Sequence, residues 1–347
     1  MTNGEGTLER RILGRTGLEV TAMGFGAGGF SRAGMRDGVD HAAGMIAQAL
    51  NAGVNLIDTA EMYGTEPAVA QGIAQSSHAR EDVVIATKVN YRIEDRLRTP
   101  EEIEEAVRAR LEALDTDYVD VLQIHGVTPE DYDHVRDQFL PVLERLRQAG
   151  AIRWLGVTEA FRIDRGHQML ARAIPEGHWD VVMVGFNLLN QTARERVLEP
   201  AMRANVGVMD MFAVRQALRD LDTISAHLRE RATAGALPET AEVGAIIQTL
   251  QRFIGTAAPT LPDLSYRFVR DEPGISTVLV GTGNPEHLRA NLETFTSPPL
   301  APGVAGELHG VLPGIDVLNG ELNERRRRSV TMRLLRQLGL FGGDRRR

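Results

Sequence analysis

Lys88 is the single lysine among 39 basic residues; the other 38 are arginine. Wherever a generic positive charge is wanted, this chain uses arginine. Lys88 is therefore a candidate for a place that needs a compact, tunable ammonium rather than a planar guanidinium that never deprotonates, the alternative being chance retention in a lysine-poor composition. Three other side chains of matching chemistry surround it in the chain. Asp58 and Tyr63 lie in IDTAEMYG, Lys88 in ATKV and His125 in LQIHG. A tyrosine is a usable proton donor for an alkoxide. A nearby ammonium favours phenolate and so lowers the tyrosine pKa. Asp58 would hold that ammonium charged and in place, and His125 would donate a hydrogen bond to a substrate oxygen. There is no cysteine, no nucleophile activated for acyl transfer, and no HExxH or carboxylate cluster to suggest a metal. The set predicts hydride transfer to a carbonyl, with Tyr63 supplying the proton. Taken singly, Asp58 reads as a strand-end cap, Tyr63 as a packing residue and His125 as a satisfied imidazole. Their convergence carries the reading.

Convergence needs a frame. Short apolar runs alternate with amphipathic stretches along the chain. The runs are TAMGFGAG (21–28), VNLID (54–58), VVIATK (83–88), YVDVLQIH (118–125), AIRWLGVT (151–158), DVVMVGF (180–186), VGVMDMF (206–212) and ISTVLVG (275–281). Helical patterns follow them at 40–52, 68–75, 100–114, 131–148, 162–172, 192–203, 261–270 and 285–294, the third with Thr99 as cap and Pro100 in its first turn. The runs are near-continuously apolar, as in a parallel sheet buried on both faces. Eight such units predict an α/β fold of (β/α)8 TIM-barrel type. RILGRTGLEV reads as an N-terminal hairpin. Residues 214–259 form a long insertion after strand seven, helical over 224–234 and 241–253. The barrel occupies residues 1–300, and 301–347 form a C-terminal extension. Asp58, Lys88 and His125 then end strands two, three and four, on the rim where such barrels place their chemistry.

Composition narrows the class. With 347 residues, 43% hydrophobic and 25% charged, the chain reads as globular. No apolar run approaches the roughly 18 residues that span a bilayer, and the N-terminus has no apolar signal region. A cytoplasmic protein is expected, without membrane or nucleic-acid partners, since the net charge is −8. Residues 324–347 carry +7, leaving −15 on the rest. Within that Arg-rich tail, Leu334, Leu335, Leu338 and Phe341 suggest a short helix packed on the barrel, with an anion- or partner-binding arm as the second reading. Gly24, Gly26 and Gly29 match a GxGxxG pattern, but SRAGMRDG (31–38) intervenes before any helix. The pattern reads instead as a small-residue strand end that lets a flat ligand approach.

Four motifs in this order, together with RILGRTGLEV, IRWLGVTEA, GFNLLN and VLVGTGNPEHLRANL, resemble the aldo-keto reductase superfamily over about residues 9–296. The resemblance implies a TIM barrel that binds NADP(H), or alternatively NAD(H), in an extended pose, with Asp58, Tyr63, Lys88 and His125 as catalytic tetrad. It also implies cofactor contacts. Gly26 ends strand one. Thr158 and Glu159 stand where the family usually has Ser-Asn for the carboxamide, and Met183 where it usually has Gln. Phe212 is the candidate to stack on nicotinamide. Gly281, Thr282, Gly283 and Asn284 would wrap the adenosine phosphate, and Asn291 would meet the adenine. Gly281 and His287 replace the basic pair many relatives use for a 2′-phosphate, leaving Arg289 as the nearest guanidinium.

The remaining histidines, His134, His167, His178, His227 and His309, sit on polar segments and read as solvated. Trp154 reads as core, and Trp179 as a residue lining either barrel end. The expected partner is a small carbonyl or alcohol: an aldehyde, ketone or sugar. The alternative is a nucleotide-binding regulatory or redox-sensing module of the same fold. The departures at Glu159 and Met183 motivate it.

Overall fold

The apolar runs pair side by side because their backbone groups must be satisfied once both faces are buried. In the computed structural model, which describes residues 7–28, 32–237, 242–311 and 317–322, they form β1 (Met23–Gly26), β2 (Leu56–Asp58), β3 (Val84–Asn90), β4 (Val119–Val127), β5 (Ile152–Glu159), β6 (Val181–Gly185), β7 (Gly207–Met211) and β8 (Thr277–Val280). All eight are parallel. The sheet closes where Val278, Leu279 and Val280 of β8 pair with Met23, Gly24 and Phe25 of β1. The expected TIM barrel is therefore the fold.

Alternation along each strand divides the core in two. Leu56, Val84, Ala86, Val121, Val181, Met183 and Met209 point inward and pack with Leu13 and Val20. Those last two come from the N-terminal hairpin, whose strands Arg10–Ile12 and Glu19–Thr21 plug the barrel floor. Gly14 turns that hairpin at φ +53°, and a Cβ there would sit 2.1 Å from the Gly207 nitrogen. Only glycine permits both. The outward residues Ile57, Ile85, Leu122, Val157, Val182 and Val208 join the helices in the larger core.

The helices are α1 (Val39–Asn51), α2 (Glu66–Gln75), α3 (Pro100–Ala113), α4 (Leu140–Gln148), α5 (Gln168–Glu176), α6 (Glu199–Ala204), α7 (Leu221–Thr233), α8 (Val243–Phe253), α9 (Leu261–Arg270), α10 (Pro285–Thr296) and α11 (Pro302–Val311). Thr99 caps α3 as expected: its hydroxyl accepts from Glu102 N–H, and Glu102 returns a bond to Thr99 N–H. The helix expected at 162–172 starts at Gln168 instead. His167 adopts a left-handed φ of +57°, and Asp164 accepts from the N–H groups of Gln168 and Met169 at 2.9 and 2.8 Å. Two other predicted helices widen into π turns, at Val135–Phe139 and Arg194–Leu198. Each precedes a proline, Pro141 or Pro200, which lacks the N–H a regular helix needs. A small ribbon, Arg92–Ile93 with Arg96–Leu97, was not anticipated.

The insertion after β7 carries α7 and α8, close to the helical stretches expected. Residue 241, the tail segment 330–341, and Gly29 and Ser31 lie outside the described residues. Among the described residues, no helix is long and apolar enough to cross a membrane.

Candidate active site

Lys88 lies on the inward face of β3, fully buried, two residues before the strand ends at Asn90 rather than at its end as expected. Its Nζ donates to both oxygens of Asp58 at 2.6 Å and to the Thr59 carbonyl at 2.8 Å. Burial pulls the lysine pKa down, but the Asp58 charge outweighs it and holds the ammonium above its usual value. A three-donor point charge fits this hole; a planar fork does not. Tyr63 lies on a 3-10 turn, Glu61–Tyr63, after β2. The Lys88 Nζ stands 5.0 Å from its ring centroid, and the His125 ring meets it edge-on at 5.6 Å. The structure thus brings Asp58, Tyr63, Lys88 and His125 together at one rim.

Two electrostatic details follow. Lys88 does draw the Tyr63 pKa down, but burial is larger, so the phenol sits above its usual value rather than below it as expected from the ammonium alone. Burial, with Lys88 nearby, pushes His125 down to about 3. Its imidazole is therefore neutral at pH 7, with one ring N–H free to donate and no acidic proton. The glycines after β1 have part of their explanation here. A Cβ at Gly28 would lie 2.2 Å from the Tyr63 ring, so that glycine exists for close approach. Among the described residues, no α-helix opens at Gly24, Gly26 or Gly28, and a 3-10 segment, Arg32–Asp37, precedes α1. At Gly26 a Cβ would meet only ordinary contacts, at 3.8 Å.

The other predicted contacts are distributed around the mouth. Thr158 accepts from Gly126 N–H at 2.6 Å, leaving its own proton to donate. Met183 pairs in register with Thr158 and fills the interior with a thioether. Glu159 departs from expectation. It alternates to the outer side, where it accepts from Gly185 N–H at 2.8 Å and meets His167 Nδ1 at 2.9 Å. Both of its oxygens are engaged by the protein rather than offered to the mouth. Phe212 has a strained φ of +75°; Arg215 covers one face at 4.2 Å and Phe161 stacks at 6.2 Å. The turn before α10 is internally hydrogen-bonded. Thr282 accepts from Asn284 N–H, Asn284 caps Glu286 N–H, and the Gly283 carbonyl meets His41 Nε2 at 2.8 Å. Gly281 and His287 are exposed and Asn291 half-buried. Arg289 is exposed and paired with Glu293.

The model of the "Aldo/keto reductase family" matches residues 22–311. The chain belongs to this family. It is 26% identical to L-galactose dehydrogenase of Arabidopsis thaliana over 293 residues, covering 83% of this chain and 88% of that one. It is 26% identical to the NADH-specific methylglyoxal reductase of Escherichia coli over 270 residues, 71% of this chain and 80% of the relative. A solved aldo-keto reductase from Bacillus halodurans, in its holo form, superposes with a TM-score of 0.68 at 24% identity, covering 92% of this chain and 99% of that structure. The aldo-keto reductase is an NAD(P)-dependent oxidoreductase by family.

Does the mouth of this reductase suit a nicotinamide dinucleotide? The His125 Nδ1 is buried without a partner, so that nitrogen is not consumed by the protein. Thr158 offers a hydroxyl, and the glycine turn opens the N-terminus of a twelve-residue helix, a ready site for phosphate. These residues fit such a cofactor, with a sparser carboxamide grip than the resemblance implies.

Several residues escaped the sequence reading. Glu61, inside the Tyr63 motif, accepts hydrogen bonds from Asn90 N–H and Arg98. Gln123, two residues before His125, is fully buried with neither amide atom bonded. Its period-two spacing from His125 was the available signal. His167 and His227 are buried, not solvated. His167 pairs with Glu159 and stacks on Phe161 at 5.6 Å. His227 shares the inner face of α7 with Ile224 and Leu228. Trp154 packs partly buried against the interior; Trp179 is buried and donates to the Tyr132 hydroxyl.

Proposed function

We propose that this enzyme reduces small carbonyl compounds (aldehydes, ketones or sugars) in the cytoplasm, and runs the reverse alcohol oxidation, with Tyr63 as general acid and base. The observation that carries the reading is the buried Lys88–Asp58 pair set 5.0 Å from the Tyr63 ring, with His125 alongside. The names of the sugar dehydrogenase and the methylglyoxal reductase agree with this substrate class.

When bound, the nicotinamide supplies or takes the hydride. This chain supplies the rest. His125, neutral, donates a hydrogen bond that orients the carbonyl oxygen. Tyr63 gives its proton to that oxygen as negative charge develops, and Lys88 stabilises the phenolate left behind. Asp58 keeps Lys88 charged throughout. Thr158 would hold the carboxamide, Met183 and Phe212 would border the ring, and Gly281, Thr282, Gly283 and Asn284 would take the phosphates. We take NADP(H) as cofactor and NAD(H) as its rival, which His287 at a usually basic position favours. Titrating each reduced dinucleotide, then following its absorbance with a panel of carbonyls, tests the proposal. Tight binding without turnover on any carbonyl would instead establish a nucleotide-binding sensor, the reading that the diversion of Glu159 to His167 favours.

A further inference from the structure

Tyr63 sits on a turn with little of its own to hold it. The turn has one backbone bond, Tyr63 N–H to the Ala60 carbonyl at 2.9 Å, and no side-chain cap. Met62 beside Tyr63 is 58% exposed, and Gly64 leaves the turn at φ +66°. Yet proton transfer needs the phenol at a fixed distance from Lys88 and substrate.

We propose that Glu61 is a positioning residue, which clamps the Tyr63 turn to the end of the Lys88 strand and to Arg98. One carboxylate oxygen accepts from Asn90 N–H at 2.8 Å and from Arg98 Nη1 at 3.0 Å. The other accepts from Arg98 Nη2 at 2.6 Å. Asn90 lies two residues beyond Lys88 on β3, so the clamp spans phenol and ammonium directly. Arg98 is itself fixed. Its N–H donates to the Tyr91 carbonyl at 2.9 Å, and it adjoins the Thr99 cap of α3. The pair is shielded, at 11% and 19% side-chain exposure, and bidentate, unlike the exposed ion pairs that contribute little. Burial works against the Glu61 charge, but Arg98 and the Asn90 N–H outweigh it and keep the carboxyl below its usual range. Inside the same loop, the hydroxyls of Thr59 and Thr65 bond at 2.8 Å and close its base. Glu61 is the outer fastening.

This inference rests on Tyr63 being the proton donor, and a double-mutant cycle in the full-length enzyme separates the two claims. Steady-state rates are measured with a carbonyl the wild type reduces, alongside dinucleotide affinity by tryptophan quenching. Glu61→Ala should lower kcat about 10- to 100-fold, the scale of a misplaced reacting group, with dinucleotide affinity unchanged. Glu61→Gln, which keeps the Asn90 contact, should recover most of the rate. In a Tyr63→Phe background, Glu61→Ala should cost almost nothing further. If the Glu61→Ala loss persists in full in that background, or if Glu61→Ala alone is as fast as wild type, Glu61 does not act through Tyr63. Should Glu61→Ala fail to fold, Arg98→Gln takes its place in the cycle with the same criteria. If Tyr63→Phe itself turns over normally, the proton-donor reading falls and takes the clamp with it.

Discussion

Each of the four rim side chains is ordinary until its neighbours are counted. Tyr63→Phe removes the transferable proton and should cut turnover about 10²- to 10⁴-fold with dinucleotide binding intact, measured by steady-state kinetics and titration. Lys88→Arg keeps the charge but forces a planar fork into a hole closed by Asp58 and Thr59. Severe loss of kcat is expected, and a fully active variant would show the hole is not selective. The pH profile of reduction follows from the shifts. Reduction needs protonated Tyr63, and a raised pKa keeps that proton on to higher pH. The rate should therefore stay flat through neutrality and fall only above the usual phenol value of 10.0. His125, pushed to about 3, stays neutral throughout, so no inflection should occur near the usual 6.5. A profile of kcat/KM from acid to alkali checks both. The single lysine pointed to this site from the sequence because its scarcity made it informative. Nothing comparable marked Glu159, whose diversion depends on a histidine eight residues away adopting a left-handed turn.

At the scale of elements, periodicity located the strands and most helices because apolar spacing reports which faces are buried. It missed where helices begin or widen. Those boundaries depend on single residues, such as Asp164 capping α5 and the prolines that follow both π turns. The α3 cap was legible because its reciprocal bonds are local. Thr99→Ala should lower stability by about 1 kcal/mol, read as a lower melting temperature with kcat little changed.

For the whole molecule, the barrel separates stability from chemistry. The floor is sealed by the hairpin, whose Leu13 packs among the lower inward residues, while the ionisable groups occupy the opposite rim. Leu13→Ala should cost about 2–5 kcal/mol in urea denaturation while the folded fraction keeps its kcat. Loss of kcat without loss of stability would show the two ends to be coupled.

The sequence by itself determined the barrel, the family and the four rim residues. A buried parallel sheet demands continuous apolar strands, and an inward polar residue near the C-terminal end of such a strand must then face the rim. Only the tertiary structure decided which polar side chains reach that rim unspent. Glu159 and His167 are consumed by one another, and Glu61 is drawn to Arg98 across 37 positions of chain. Such partners are chosen by distance in space, which residue spacing along the chain does not encode.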